Sequence, residues 1–415
     1  MSGAEAAGVA LDRRGRARLI AALVAGQLGL HASMAGLRLA ASLQALREGA
    51  GPWTVGLLLA LFAAAPVVMS LHSGRMADRH GYHRPVRIAA ALTLGGLLLA
   101  LSACFVDGPA HLALLCAAAA ASGTGANMGM LTIQRSAGLL ARDGTERMRV
   151  FSWLGIAPSL ANVLGPVAVG FMIDARGFAA AYALLLALPL ASLLAARFVP
   201  ALPPRSAAAG TGRRAWDLLA LPGLRRLLVV NWLLSMCWDV HLFAVPVLGH
   251  ERGFAAATVG LILGTFTLAV TGVRLLIPIL AHRLREASVV VGAMLGTAAV
   301  FAAYPLAGSP WVMGLLAALL GIALGSVQPM VMSMLHHLTP DARHGEALAL
   351  RSMAMHASGT LMPLLFGALG AAVGAAARFW AVGGAVGAGS WLARRLATPG
   401  SVAGAGSGHA GPPAA

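Results

Sequence analysis

Apolar runs long enough to cross a bilayer, which takes about 20 residues, recur along the chain at 19–42, 53–74, 86–106, 110–134, 149–173 and 178–199. After a polar interval they resume at 225–248, 255–280, 287–307, 310–335, 347–373 and 375–397. The pattern predicts an all-α integral membrane fold of twelve transmembrane helices in two pseudo-symmetric six-helix bundles. It divides the chain into an N-terminal tail (1–18), a first bundle (19–199), a linker (200–224), a second bundle (225–397) and a C-terminal tail (398–415). The linker carries Pro203, Pro204, a Ser/Ala/Gly run and Arg213-Arg214, and the last tail is Gly, Ala, Ser and Pro. Both have the composition of solvated, unpacked chain.

Composition agrees with that pattern. Of the 415 residues, 59% are hydrophobic and 11% charged, with a mean hydropathy of +0.80. Soluble domains carry about 25% charged residues, so a soluble enzyme, a disordered chain and an extracellular disulfide scaffold are excluded. Cys104, Cys116 and Cys237 lie in or beside apolar runs, with no C-x-x-C pair and no metal-ligand spacing. They read as small buried residues, and no metal or cofactor is expected.

The net charge of +16 comes entirely from arginine, since the chain has no lysine. A basic excess can mark a nucleic-acid partner. Here the arginines sit in short loops between apolar runs, which is how cytoplasmic loops set topology. With both termini on one side, twenty-three arginines fall on that side, four on the other (Arg47, Arg176, Arg252, Arg378) and three inside spans (Arg38, Arg274, Arg351). Both termini are therefore expected in the cytoplasm, with the lipid bilayer as partner and no nucleic acid. The basic segment Arg13–Arg18 before the first run reads as the start of an uncleaved helix, since eleven more runs follow.

The two sets of six are related. A shift of 204 residues places Thr54-Val55-Gly56-Leu57 on Thr258-Val259-Gly260-Leu261, Gly49 on Gly253, Phe62 on Phe266, Arg79 on Arg283 and Gln27 on Asn231. A shift of 197 places Pro166 on Pro363 and Gly170 on Gly367. Matches at Gly, Pro, Arg and amide positions carry more weight here than Ala or Leu matches. Two six-helix halves in the same sense form a parallel repeat.

Between spans two and three the chain reads Gly74-Arg75-Met76-Ala77-Asp78-Arg79-His80-Gly81-Tyr82-His83-Arg84. This resembles the G-x-x-x-D-R-x-G-x-x-R loop signature of the major facilitator superfamily. Gly74 allows close helix approach, Asp78 calls for a cationic or helix-terminus partner, and Gly81 permits a tight turn. The resemblance covers roughly residues 18–397. It implies secondary transport by alternating access around a midplane cavity. It also makes Gly74, Asp78, Arg79, Gly81 and Arg84 a conformational latch against span eleven, with Arg351 as a plausible partner. The second copy of the loop is degenerate, with Pro278, His282 and Arg283 in place of Gly74, Asp78 and Arg79.

Span five reads Gly165-Pro166-Val167-Ala168-Val169-Gly170. It is similar to the G-P-x-x-G-G signature of the superfamily's proton-linked exporters, with Val169 in place of a glycine. Small residues and a proline make a helix that packs closely and bends, which ordinary membrane packing also uses. Span four carries Gly123-Thr124-Gly125, but Ala119 stands where the corresponding family motif has an arginine associated with proton transfer.

Ionisable groups inside spans are functional candidates by default. Asp239 in span seven is the one acid at mid-span, on a face shared with Asn231 and Ser235. A carboxyl there can carry a proton, or can be half of a structural pair. Gln27, His31, Met34 and Arg38 form one face of span one and should point inward. Arg38 is either a fixed charge for an anionic substrate or acid, or a side chain snorkelling to the interface. Asn127, Asn162 and Gln328 add mid-depth hydrogen-bonding groups, and Trp238, beside Asp239, can line a cavity. Arg274 is expected to pair or snorkel. A phosphate-binding G-x-x-x-x-G-K-[ST] loop is impossible without lysine, so ATP-driven transport has no basis in this chain.

The expectation is a multi-pass transporter of a bacterial inner membrane, monomeric, taking a small-molecule substrate with protons as coupling ion. By resemblance to drug exporters the direction is efflux. Proton-coupled uptake of a small organic anion anchored on Arg38 is the alternative, and a non-transporting sensor on the same fold is a third.

Overall fold

A computed structural model describes residues 13–140, 144–200, 215–280, 285–339, 343–370 and 375–396. All regular structure among them is helical. The helices are α1 (Arg13–Arg47), α2 (Pro52–His80), α3 (His83–Ala103), α4 (Pro109–Leu140), α5 (Gly144–Ala196), α6 (Pro222–Glu251), α7 (Ala256–Leu280), α8 (Glu286–Ala303), α9 (Pro310–Leu338), α10 (His344–Gly370) and α11 (Ala375–Arg394). Short 3-10 turns occupy Ala215–Ala220 and Tyr304–Leu306. The linker from 201 to 214 and the tail from 397 lie outside the described residues.

The expected spans five and six form one helical run, α5, interrupted at Gly177 (φ 81, ψ 180). That backbone conformation is open to glycine and costly for other residues, so the chain reverses there without a loop. Its membrane portion, Trp153–Ala196, runs 44 residues, enough for two crossings. Eleven helices thus correspond to twelve expected spans. Nine described segments, counting Trp153–Ala196 once, are long and strongly apolar. The Gly-, Ser- and Arg-bearing α10 and the Gly/Ala-rich α11 are not among these nine.

Helix starts follow from local chemistry. Proline opens the first turn of α2, α6 and α9, where its missing N–H leaves no partner unsatisfied. Ser309 caps α9 by accepting from the Val312 N–H at 3.3 Å. The turn glycines Gly49 and Gly253, paired by the repeat, both have positive φ (85 and 69).

α1 to α5 pack into one bundle and α6 to α11 into another. The end where α1 and α6 begin is called here the terminal end. The far end holds the turns at 48–51 and 252–255 and the break at Gly177. At the far end of the first bundle, Tyr182 donates to Gln44 Oε1 (2.7 Å), Gln44 donates to Glu48 (3.1 Å), and His111 lies 2.6 Å from Glu48. His111 also donates from Nδ1 to the Ala103 carbonyl (2.8 Å). These bonds tie α1, α3, α4 and α5 together. The outer perimeter is apolar and exposed, with Val68 at 72% and Trp311 at 88% exposure, as a lipid-covered surface requires. All three cysteines are free, Cys237 buried and Cys104 and Cys116 half-buried.

Candidate transport site

A cavity of about 310 Å³ lies between the bundles. α5 contributes Pro158, Ser159 and Asn162. The second bundle contributes Asn231, Leu234, Ser235, Trp238 and Asp239 from α6, Thr267 and Arg274 from α7, Leu324, Val327 and Gln328 from α9, and Arg351 and Met355 from α10. By the direction of each helix, these residues run from mid-depth toward the terminal end. Beyond Trp238 the space narrows to about 20 Å³, packed by Arg38, Leu39, Pro166, Leu242, Pro246 and Leu263.

Asp239 sits at the deep end of the cavity and accepts a hydrogen bond from Ser358 Oγ of α10 at 2.7 Å. Gly359 leaves room beside it: a Cβ there would stand 3.7 Å from one carboxylate oxygen. Its opposite charge is Arg38 of the first bundle, which interacts with it electrostatically and lies over the Phe62 ring at 5.5 Å. Arg38 therefore points inward, and the charge on Asp239 is felt by both bundles. His31 lies 3.5 Å from Asn162 Nδ2, which also donates to the Pro158 carbonyl at 2.9 Å. Gln27 is buried with its amide atoms unpartnered and does not line the cavity. Asn127 is half-buried on α4, also outside the lining.

The cavity wall of the second bundle holds two cations. Arg274 donates to Gln328 Oε1 at 2.8 Å and Arg351 Nε to Asn231 Oδ1 at 3.2 Å. Arg351 thus lies in the cavity wall, joined to Asn231. Gly74 and Asp78 fall within α2, and the side chain of Asp78 lies outside what the structure describes. Arg79 is exposed at the end of α2, and Gly81 (φ 67) turns the chain toward α3, where Arg84 is exposed. The expected loop is therefore helical as far as His80. Trp238 stands edge-on to Phe266, with ring centroids 4.6 Å apart. Among the described residues no cluster of His, Cys, Asp and Glu could hold a metal ion.

The far end is closed by two equivalent contacts between the bundles. A Cβ on Gly260 of α7 would stand 2.4 Å from the Pro166 carbonyl oxygen of α5, and one on Gly170 would stand 2.5 Å from that of Ala256. A Cβ on Gly56 of α2 would stand 2.3 Å from the Pro363 carbonyl oxygen of α10, and one on Gly367 3.0 Å from that of Pro52. Only glycine allows such backbone contact. Gly165 faces the other way, onto α1 at Ala32 and Gly36. Asp174 adds a polar clasp missed in the sequence. Its carboxylate accepts from the N–H groups of Ala256 (3.0 Å) and Ala257 (2.7 Å) at the start of α7 and lies 3.6 Å from Arg47. An acid at a helix N-terminus is favoured by the unpaired N–H groups there. At the terminal end, among the described residues, α4 makes no extensive contact with the second bundle. The conformation is closed at the far end and leaves the cavity toward the terminal end.

The sequence matches the model of the Major Facilitator Superfamily over residues 17–226 and again over 227–413. The chain belongs to the major facilitator superfamily. The two matches meet in the first turns of α6, so each covers essentially one bundle, and membership makes the protein a secondary transporter rather than an enzyme. Its fold is similar to that of a POT family transporter crystallised with a thioalcohol-conjugated peptide, at a TM-score of 0.75 and 14% identity, covering 91% of this chain and 96% of the other. A POT family transporter in complex with 5-aminolevulinic acid is similar at a TM-score of 0.74 and 13% identity, covering 91% and 96%. A mutant of the nucleoside transporter NupG has a TM-score of 0.67 at 16% identity, covering 91% and 99%. At these identities the likeness establishes the fold. No curated protein sequence matches the chain significantly.

Proposed function

We propose that this superfamily member couples proton movement to transport of a small organic molecule by alternating access, with Asp239 carrying the proton. One observation carries this reading. Among the described residues Asp239 is the only acid lining the central cavity, and it stands where the bundles meet, bonded to Ser358 of its own bundle and facing the charge of Arg38 of the other. Neutralising it changes what holds the bundles together at mid-depth, so proton occupancy and conformation are linked. The span-five signature at Gly165, Pro166 and Gly170, resembling that of the drug:proton antiporter branch, favours efflux. Uptake of an organic anion is the second reading, favoured by the two arginines in the cavity wall. The α2–α3 loop, centred on Asp78, is proposed as the latch of the opposite state.

The test is reconstitution into liposomes with a substrate found by thermal-shift screening of metabolites and drugs. An imposed pH gradient should drive substrate movement, and its polarity should reverse the direction. Movement indifferent to the gradient would remove proton coupling. The arginine asymmetry supports placing both termini in the cytoplasm, and we propose a monomer in a bacterial inner membrane. A tag after Ala415 or near Ala208 is expected to resist labelling from outside intact cells, and labelling of either would overturn that orientation.

A further inference from the structure

Arg274 and Arg351 both end in the central cavity, and each is held by a neutral amide, Gln328 and Asn231 respectively. These bonds orient the guanidinium groups without neutralising them. Arg274 Nε is buried and unpartnered, and the two cations repel each other electrostatically. Among the described residues neither forms an ion pair with an acid. Asp239, the single acid among the described lining residues, accepts from Ser358 at the deep end, on the side of Arg38. Among the described residues, the two positive charges of the wall thus have no acid paired with them. Arginines at membrane depth pair with something or face a water-filled path.

We infer that the substrate supplies the counter-charge: Arg274 and Arg351 bind the anionic group of a small organic acid, a carboxylate or a phosphate ester. The guanidinium fork matches the two oxygens of either group. Gln328 and Asn231 each hold one nitrogen and leave other N–H groups to the ligand. Two cations favour a dianion over a monoanion. Trp238 with Leu234, Leu324 and Val327 forms an apolar wall for the rest of the molecule, and about 310 Å³ sets a small size. Arg38 lies over Phe62 in the narrow space beyond Trp238, outside the lining of this cavity, so it is not the anchor. The inference rests on this cavity being the transport site, and its test uses binding without any gradient, so it stands or falls apart from proton coupling.

The purified full-length protein is titrated calorimetrically with succinate, phenylacetate and glycerol 3-phosphate. Controls are succinamide, phenylacetamide and the cation putrescine. At least one anion is expected to bind, with its neutral counterpart or putrescine weaker by about 30-fold or more, the scale of losing one partner of a desolvated charge pair. Arg274→Gln and Arg351→Gln should each weaken the anion by a similar factor. The unliganded melting temperature should hold or rise, because one of two repelling charges is gone. Arg351→Lys should bind at an intermediate level, having charge without the fork. Absence of binding by all three anions, equal binding of acid and amide, or unchanged anion binding in both glutamine variants would each overturn the site. If the variants fail to fold, the acid-against-amide comparison in the native protein decides.

Discussion

Asp239→Asn protein in liposomes is expected to show no substrate movement above protein-free liposomes when driven by a pH gradient. Substrate exchange with no gradient should persist at a comparable rate. The amide keeps the shape of the carboxyl and can still meet Ser358, but it binds no exchangeable proton. Asp239→Glu should retain coupling with a displaced pH optimum, since the longer side chain moves the carboxyl relative to Arg38 and Ser358. A purely structural pairing predicts something different. Removing one member of a buried pair leaves Arg38 uncompensated and costs about 3–5 kcal/mol, so Asp239→Asn would lower the melting temperature and the amount of folded protein. Proton flux measured beside thermal stability separates the two. A well-folded Asp239→Asn protein that still follows the gradient would end the proposal for this residue.

Gly56→Leu should displace the conformational equilibrium away from the far-end-closed state. A Cβ at Gly56 would stand 2.3 Å from the Pro363 carbonyl oxygen. That obstacle is backbone, so no rotamer change removes it. Overpacking of this kind costs about 1–3 kcal/mol, a shift of roughly 5- to 150-fold between two states. Gly260→Leu, at the repeat-related contact with Pro166, should act in the same direction. The readout is a single cysteine at Ser235 in a background lacking Cys104, Cys116 and Cys237. From the terminal side it should label readily in the parent and slowly in either leucine variant. Equal labelling in folded parent and variants would show that these contacts do not hold the far end shut.

The residues that revealed the repeat are the ones where the bundles touch. Gly56 and Gly260 are related by one shift, and Pro166 with Pro363 and Gly170 with Gly367 by another. In space Gly260 meets Pro166, and Gly56 meets Pro363. The sequence shows which residues are equivalent. It does not show that each meets the partner of its counterpart, because that depends on how two separately packed bundles face each other. Asp174 illustrates the same limit. It reads as one more acid near a span end, and its role appears only when the start of α7 arrives beside it from the other bundle. The Gln44–Glu48–His111–Tyr182 cluster was equally silent, being assembled from α1, α4 and α5.

The all-helical membrane fold, its two bundles and the superfamily were legible in the sequence, because each follows from local chemistry. A bilayer demands long apolar helices, and a duplicated architecture leaves its shift at glycines and prolines that cannot drift freely. Asp239 was legible too, since an acid in mid-span is conspicuous against apolar neighbours. Which polar groups share a cavity was decided by tertiary structure alone. Arg351 reads in the sequence only as a residue near the start of span eleven, and packing sets its guanidinium beside Asn231 in the cavity wall. Arg274 was read as a pairing or snorkelling residue and faces Gln328 in the same wall. Gln27 shares the helix face of Arg38 yet lies buried outside the cavity lining, because a 35-residue helix meets different neighbours at different depths. Helical periodicity fixes the face on which a side chain stands, but its surroundings are set by the crossing of α1 with α5 and α6, which no local pattern of residues encodes.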